Sequence, residues 1–426
     1  MLFYLILFVE LIMLAELMVR IRLLTSAHLI LMYIILSQIV FWSADWLGYQ
    51  ELVDGLPSSF LYFTTEGVLF YFAFFILFYL STVGIKIRNI TKIVDDLRNS
   101  INSARNIQYY IFVFCVSIIL IDLFAIDKDV LWRNYRYLFI GGGESLIYSN
   151  PITRIAHSTT PIIAIVSVFG FFSNLFGRNF RWAMLWFAPA LWMIAYATAS
   201  ASRLSAMLMF VPIVLGIVML RRGRLLVGIV FGLAAVVELG AALWGRGNLE
   251  FGISAIPTML GGALSEGLDL SDYSLNLFQG IFVTSDSLMI GGNFSDRYSL
   301  LSMSPFPSFI DGFNNILESD QIRLHLFVPM SALAEVILFG WPYAVVFFGI
   351  FAYTVRLSIR LSRKNGVLYI LFTPYVFLLF VIANAYPTRN VFRQLVYVLI
   401  LSVIASMVVG WLGRRKQAAP GALRRG

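Results

Sequence analysis

The chain has 426 residues, 60% of them hydrophobic and 13% charged, with a formal net charge of +8. That balance excludes an ordinary soluble domain, in which about a quarter of the residues are charged. A lone cysteine, Cys115, excludes an internal disulfide, and it sits inside an apolar run where its role is packing.

Apolar runs follow one another along the chain, at roughly residues 2–19, 27–44, 59–84, 109–126, 158–176, 182–199, 204–220, 225–243, 341–356, 366–385 and 394–412. Many reach the ~20 residues that cross a bilayer core of about 30 Å. They are continuously apolar rather than alternating, so they read as helices and not as the strands of a barrel. The first, LFYLILFVELIMLAELMV, lacks a basic start and a small-residue cleavage site and reads as a retained helix. The expected fold class is all-α: one polytopic integral membrane domain over residues 1–426, with about 11 transmembrane helices. No internal repeat and no separate soluble domain is evident.

Every second connection is basic. Arg20 and Arg22 begin the series, followed by Lys86, Arg88, Lys92, Arg98 and Arg105, then Arg178 and Arg181, then Arg221, Arg222 and Arg224. Arg356, Arg360, Arg363 and Lys364 come next, and Arg414, Arg415, Lys416, Arg424 and Arg425 close the chain. These connections hold 21 of the 31 basic residues and only two acids, Asp95 and Asp96. The positive-inside rule places them in the cytoplasm, with the N-terminus outside and the C-terminus inside.

The alternate segments are then outer. Residues 45–58 are short and acidic. Residues 127–157 combine basic and aromatic residues with a run of three glycines, which is turn chemistry. Residues 244–340 form one large outer loop with short helices expected within it, and loops of that length are usually functional. Its last part, FVPMSALAEVILFG (327–340), reads as a short interfacial or re-entrant helix. Residues 386–393 make a short outer loop.

Ten basic residues lie on the outer side: Lys128, Arg133, Arg136, Arg154, Arg203, Arg246, Arg297, Arg323, Arg389 and Arg393. Nine are arginine, whose planar fork suits phosphate oxygens, although interface snorkelling and pairing with outer carboxylates are the plainer readings. Arg203 and Arg389 lead the set, each in a short loop without an acidic neighbour; Arg154, Arg323 and Arg393 complete it. Two residues are candidate bases. His325 lies near Glu318, Asp320 and Arg323, and Glu335 lies in the 327–340 segment. Five further acids, Glu10, Glu16, Glu66, Asp122 and Glu238, lie inside the runs. Tyr135, Tyr137, Tyr148, Tyr298, Phe306, Phe309 and Phe313 are outer aromatics able to face a sugar. No metal-ligand spacing and no phosphate-binding glycine loop occurs, so neither a metal nor another cofactor is expected.

Three stretches carry a family resemblance: SASRLSAMLMF around Arg203, FVPMSALAEVILFGWPYAVVFFGIF after the large loop, and YPTRNVFRQ before the last run. With the overall plan they resemble the Wzy-type O-antigen polymerases, relatives of the O-antigen ligases. The ligase histidine–asparagine pair is absent, since His325 is followed by Leu326. The resemblance implies a GT-C-like membrane glycosyltransferase of the bacterial inner membrane, part of lipopolysaccharide or similar polysaccharide biosynthesis. It also implies substrates: two undecaprenyl-pyrophosphate-linked oligosaccharides joined on the periplasmic face. Arg203, Arg389, Arg154, Arg323 and Arg393 are then expected at the diphosphate, and His325 or Glu335 at the attacking hydroxyl. A chain-length-regulating co-polymerase is an implied partner, and nucleic acid is not. A flippase for lipid-linked sugars and an O-antigen ligase are the alternative readings.

Overall fold

The computed structural model describes residues 2–42, 65–87, 105–125, 131–132, 151–202, 204–220, 222–265, 278, 280–306, 312–313, 316, 319–324, 328–364 and 366–418. Those residues are nearly all helical. Among the described residues, six helices are long and apolar enough to cross a membrane: Leu2–Arg20, Gln108–Ala125, Thr159–Phe176, Phe180–Ala199, Arg224–Gly247 and Trp341–Ser362. Shorter apolar helices occupy others of the predicted runs, including Ser26–Val40, Gly67–Ser81 and Phe372–Ala383. A polytopic membrane protein has this make-up.

The chain forms two compact units. Unit 1 takes Met1–Leu97 and Leu270–Gly426, and unit 2 takes Arg98–Asp269.

Unit 1 contains α1 (Leu2–Arg20), α2 (Ser26–Trp42) and α3 (Thr65–Ser81) from the first part of the chain. The helices of unit 2, described below, are α4 to α10. Unit 1 resumes with α11 (Gly280–Ile290) and α12 (Asp296–Ser302), then a two-residue antiparallel pair, β1 (Arg323–Leu324) and β2 (Val328–Pro329). It ends with α13 (Ala332–Leu338), α14 (Trp341–Lys364), α15 (Gly366–Ala383) and α16 (Thr388–Ala418). Its core is built from phenylalanines that meet edge to face, with Phe78 against Phe351 and Phe380 at 5.3 Å between centroids in each pair. This is the geometry in which the positive ring edge meets the negative ring face.

Part of the large loop enters that core. Residues Gly280–Ser287 of α11 are all buried, and the helix packs against α2, α3 and α13. Gly280 permits the approach, since a Cβ at that position collides with the Cβ of Asn384. The apolar stretch 327–340 is not one helix. Pro329 has no amide hydrogen and sits in β2, and Ser331 caps α13 by accepting from the amide of Leu333 at 3.2 Å. Gly340, at φ 108°, separates α13 from α14, and Pro342 stands in the first turn of α14.

Two ends of unit 1 are distinct. At one end Arg20 donates to the carbonyl of Thr82 at 2.7 Å, and Arg356 donates to those of Ser81 and Val83, both at 2.9 Å. Ile21 bridges Ile87 there. Connections of the basic series therefore share an end. The other end gathers the C-terminus of α15, the N-terminus of α16, α12 and α13, all from the alternate segments.

Unit 2 contains α4 (Arg105–Ala125), α5 (Pro151–Phe176), α6 (Phe180–Ala199), α7 (Leu204–Leu208), α8 (Phe210–Met219), α9 (Arg224–Gly247) and α10 (Ile256–Ser265). The run 204–220 is an apolar helix over Leu204–Gly216, with a one-residue irregularity at Met209, itself at helical φ and ψ, between α7 and α8. Pro212 stands in the first turn of α8, where its missing amide hydrogen costs least, and it offers nothing to the carbonyl of Leu208. The buried Cys115 lies on α4, and Trp186 packs on Phe112 at 5.2 Å. The α6–α7 hairpin turns through Ala201, which is buried at φ 46°, and the Arg246 Nε donates to the Ala201 carbonyl at 2.9 Å.

Candidate functional site

The acids inside the apolar runs are polar groups in an apolar setting, where each needs a partner. Glu10 accepts from Gln38 at 3.1 Å. Glu16 accepts from Arg20 at 2.8 Å and from Tyr79 at 2.7 Å, and Glu238 accepts from Thr198 at 2.8 Å. Asp122 is buried on α4, and the side chain of Glu66 lies outside the described residues. Each of these three glutamates is thus held by a neighbour on its own or an adjacent helix. That is how a span satisfies an expensive polar group.

The densest polar construction is at the loop-bearing end of unit 1. Glu335, on α13, is 1% exposed. Its Oε1 accepts from the hydroxyl of Tyr298 on α12 at 2.9 Å, and its Oε2 accepts from the backbone amide of Thr388 at 2.6 Å. Thr388 begins α16, so the carboxylate caps the N-terminus of the last helix, where the helix dipole favours negative charge. Burial raises the Glu335 pKa above the ordinary carboxyl value, and the bonds from Thr388 and Tyr298 offset part of that rise. The Tyr298 hydroxyl is pushed up as well, first by burial and then by the adjacent carboxylate.

Arg389 follows Thr388 directly and is 2% exposed. Its Nη1 donates to the carbonyls of Leu301 and of Ser304, the latter at 3.1 Å, and its Nη2 donates to that of Phe306 at 2.6 Å. Its guanidinium stands 4.8 Å from the centre of the Phe313 ring. These carbonyls end α12 and form the turn after it, so Arg389 works as a side-chain cap of a helix C-terminus. Two turns further along α16, the Tyr397 hydroxyl donates to the carbonyl of Pro305 at 2.9 Å. Arg393 lies between them and is half-buried; among the described residues its side chain makes no hydrogen bond or ion pair.

A second polar chain lies beside the first. The Tyr71 hydroxyl donates to the Asn384 side-chain carbonyl and reaches Thr284 at 3.4 Å. Thr284 donates to Ser331 at 2.8 Å, and Ser331 donates to the Ala383 carbonyl at 3.2 Å. These bonds join α3, α11, α13 and α15. Sequence reasoning passed over all four residues. Their one sequence signal is a polar side chain inside or at the edge of an apolar run.

The expected site residues are thus distributed as follows. Glu335, Arg389 and Arg393 all lie in unit 1, the two arginines one turn apart on α16. Arg323 has its backbone in β1 of the same unit, in extended form with Leu324. Arg154 lies in the first turn of α5, in unit 2, and its side chain is outside the described residues, as is all of Arg203 and His325. The outer aromatics separate into two kinds. The Tyr298 ring is buried between Phe294 and Phe313, at 5.4 and 5.6 Å, and is core rather than sugar platform, whereas Phe306 is exposed. Tyr135, Tyr137, Tyr148 and Phe309 lie outside the described residues.

No family model, no curated protein and no solved structure matches this chain. The functional reading therefore stands on the residues above.

Proposed function

We propose that this protein is a membrane glycosyltransferase that polymerises lipid-linked oligosaccharide repeats. In this reading the chain crosses the bacterial inner membrane eleven times, in a GT-C-like arrangement, and α12 and α13 lie at the periplasmic end of unit 1. The substrates are two oligosaccharides carried on undecaprenyl pyrophosphate. A sugar hydroxyl of one attacks the anomeric carbon of the other. The bond from that carbon to the diphosphate oxygen breaks, the hydroxyl proton passes to a base, and undecaprenyl pyrophosphate leaves with its negative charge increased.

The observation that carries this reading is the fastening of the large loop onto the last span. Through Glu335, Arg389 and Tyr397, the α12 segment is tied to the first turns of α16, beside the half-buried Arg393. A reaction whose charge builds on a lipid diphosphate requires cationic donors fixed at that depth before the bond breaks. A rigid outer platform on a span end supplies such a place. Arg203, Arg154 and Arg323 are the further arginines assigned to the diphosphate, and His325 is assigned as base. A separate co-polymerase is assigned to chain-length control.

Lipopolysaccharide banding on a gel, after deletion of the coding sequence and its restoration, tests the proposal. Loss of a polymerase leaves lipid A–core carrying one repeat. Loss of a ligase or flippase leaves none attached, and that outcome overturns the proposal.

A further inference from the structure

Glu335 has two obvious parts to play, base or brace, and its surroundings separate them. A base must reach the proton that it takes, directly or through one water. Both Glu335 oxygens are spoken for by groups of the chain itself, and the residue is sealed from solvent at 1% exposure. What its two bonds do is mechanical. One ends on α12, in the large loop, and the other ends on the first residue of α16.

Arg389 repeats the connection from the other side. Residues 389, 393 and 397 are successive i,i+4 positions and share one stripe of α16. The first and third bind carbonyls of residues 301–306. The middle position is Arg393, which lies on the same stripe between these two fastened positions and is half-buried.

We propose that Glu335 is a positioning residue that, together with Arg389, locks the 296–306 segment to the last helix, and that Arg393 is the arginine this frame presents to a lipid diphosphate. The proposal rests on the polymerase reading for the identity of the ligand. It gives the three residues separate parts: two hold, and one binds. The phosphate oxygens accept from the Arg393 fork in the way that the carbonyls of the turn accept from Arg389.

The discriminating variant is Glu335→Gln. A glutamine retains both bonds, because its carbonyl accepts from the Thr388 amide and its amide hydrogens turn toward the Tyr298 oxygen, which also accepts. It removes proton transfer and leaves the brace. Full-length protein in lipid nanodiscs is assayed for polymer formation from purified lipid-linked repeats. In parallel, the rise in melting temperature caused by added undecaprenyl pyrophosphate is recorded.

Glu335→Gln is expected to retain kcat within about threefold of wild type, whereas removal of a true base costs on the order of a hundredfold or more. Glu335→Ala, which strands the Tyr298 hydroxyl and the Thr388 amide, is expected to melt earlier and to raise KM about tenfold. Arg393→Gln is expected to melt normally without ligand and to lose the shift given by the lipid diphosphate, with Arg393→Lys intermediate.

A hundredfold loss of kcat in Glu335→Gln at unchanged melting temperature overturns the positioning role. An undiminished lipid-diphosphate shift in Arg393→Gln overturns the binding role. A wild-type protein that is shifted by the lipid diphosphate but makes no polymer refutes the polymerase reading alone, and the shift in the variants still decides this one. A wild-type protein that polymerises but gives no shift refutes the part assigned to Arg393.

Discussion

At one end of unit 1, Arg20 and Arg356 hold the carbonyls of the turn that follows α3; at the other, Arg389 holds those of the turn that follows α12. The mechanical task is the same. A helix ends with carbonyls that lack amide partners, and the guanidinium fork satisfies several at once. The settings differ. The Arg20 side chain is 15% exposed and shares its charge with Glu16 at 2.8 Å, whereas Arg389 is 2% exposed and lies against an aromatic ring. The same residue type therefore serves as an edge fastener at one end and as part of the core at the other. An arginine beside a span end is not by that fact a phosphate ligand; the carbonyls of its own chain compete for the same fork.

The comparison breaks most readily at Arg389. Arg389→Ala leaves the carbonyls of Leu301, Ser304 and Phe306 without this donor and is expected to cost about 3 kcal/mol or more, read as a lower melting temperature in detergent. A loss no larger than that of Arg356→Ala shows that burial does not separate the two ends.

The acid beside Arg389 gives the next effect. The folded pKa of Glu335 is raised above the unfolded value, so the native state binds more protons than the unfolded chain. Its contribution is fully present below the unfolded value of 4.5 and is lost as pH rises through the folded value. Wild-type stability is therefore expected to fall, relative to Glu335→Gln, by up to about 1.4 kcal/mol per pH unit within that window. Parallel pH profiles of the two melting temperatures contradict the assignment.

At the basic end, Arg356→Ala removes donors to the carbonyls of Ser81 and Val83 and is expected to cost about 1 kcal/mol, because water replaces much of what is lost. Glu16→Gln, at an ion pair whose acid is 44% exposed, is expected to shift stability by less than about 1 kcal/mol. A larger effect there than at Arg356 shows that the pair, rather than the carbonyl bonds, fixes that end.

Much of the helical plan was legible in the run of residues. The apolar stretches coincide with helices because burying or embedding about 20 apolar side chains dominates local preference. The basic connections around Arg20, Lys86 and Arg356 meet at one end of unit 1, in keeping with their alternation along the chain. The sequence was less informative where one residue overrides a run. Pro212 leaves a one-residue irregularity at Met209 in the 204–220 stretch, and Pro329 with Ser331 delays the start of α13. The stretch GIFVTSDSLMI was read within an outer loop, yet as α11 it is buried against α2 and α3, because Gly280 allows the close approach and its hydroxyls bond inside the unit. Of the candidate site, the residue types at 335, 389 and 393 were visible. That Glu335 and Arg389 are both engaged by groups of the chain itself was not, since it depends on which amides, hydroxyls and carbonyls lie within reach.

By itself the sequence determined that this chain is helical, rich in apolar runs of spanning length and basic mainly at alternate connections, for these follow from composition and spacing along one dimension. Only the tertiary structure decided that Glu335 joins Tyr298 to Thr388 and that Arg389 is enclosed by residues 301–306. Those partners stand 37, 53 and more than 80 positions apart in the chain, and hydrogen bonds are made by proximity in space, which no local pattern encodes.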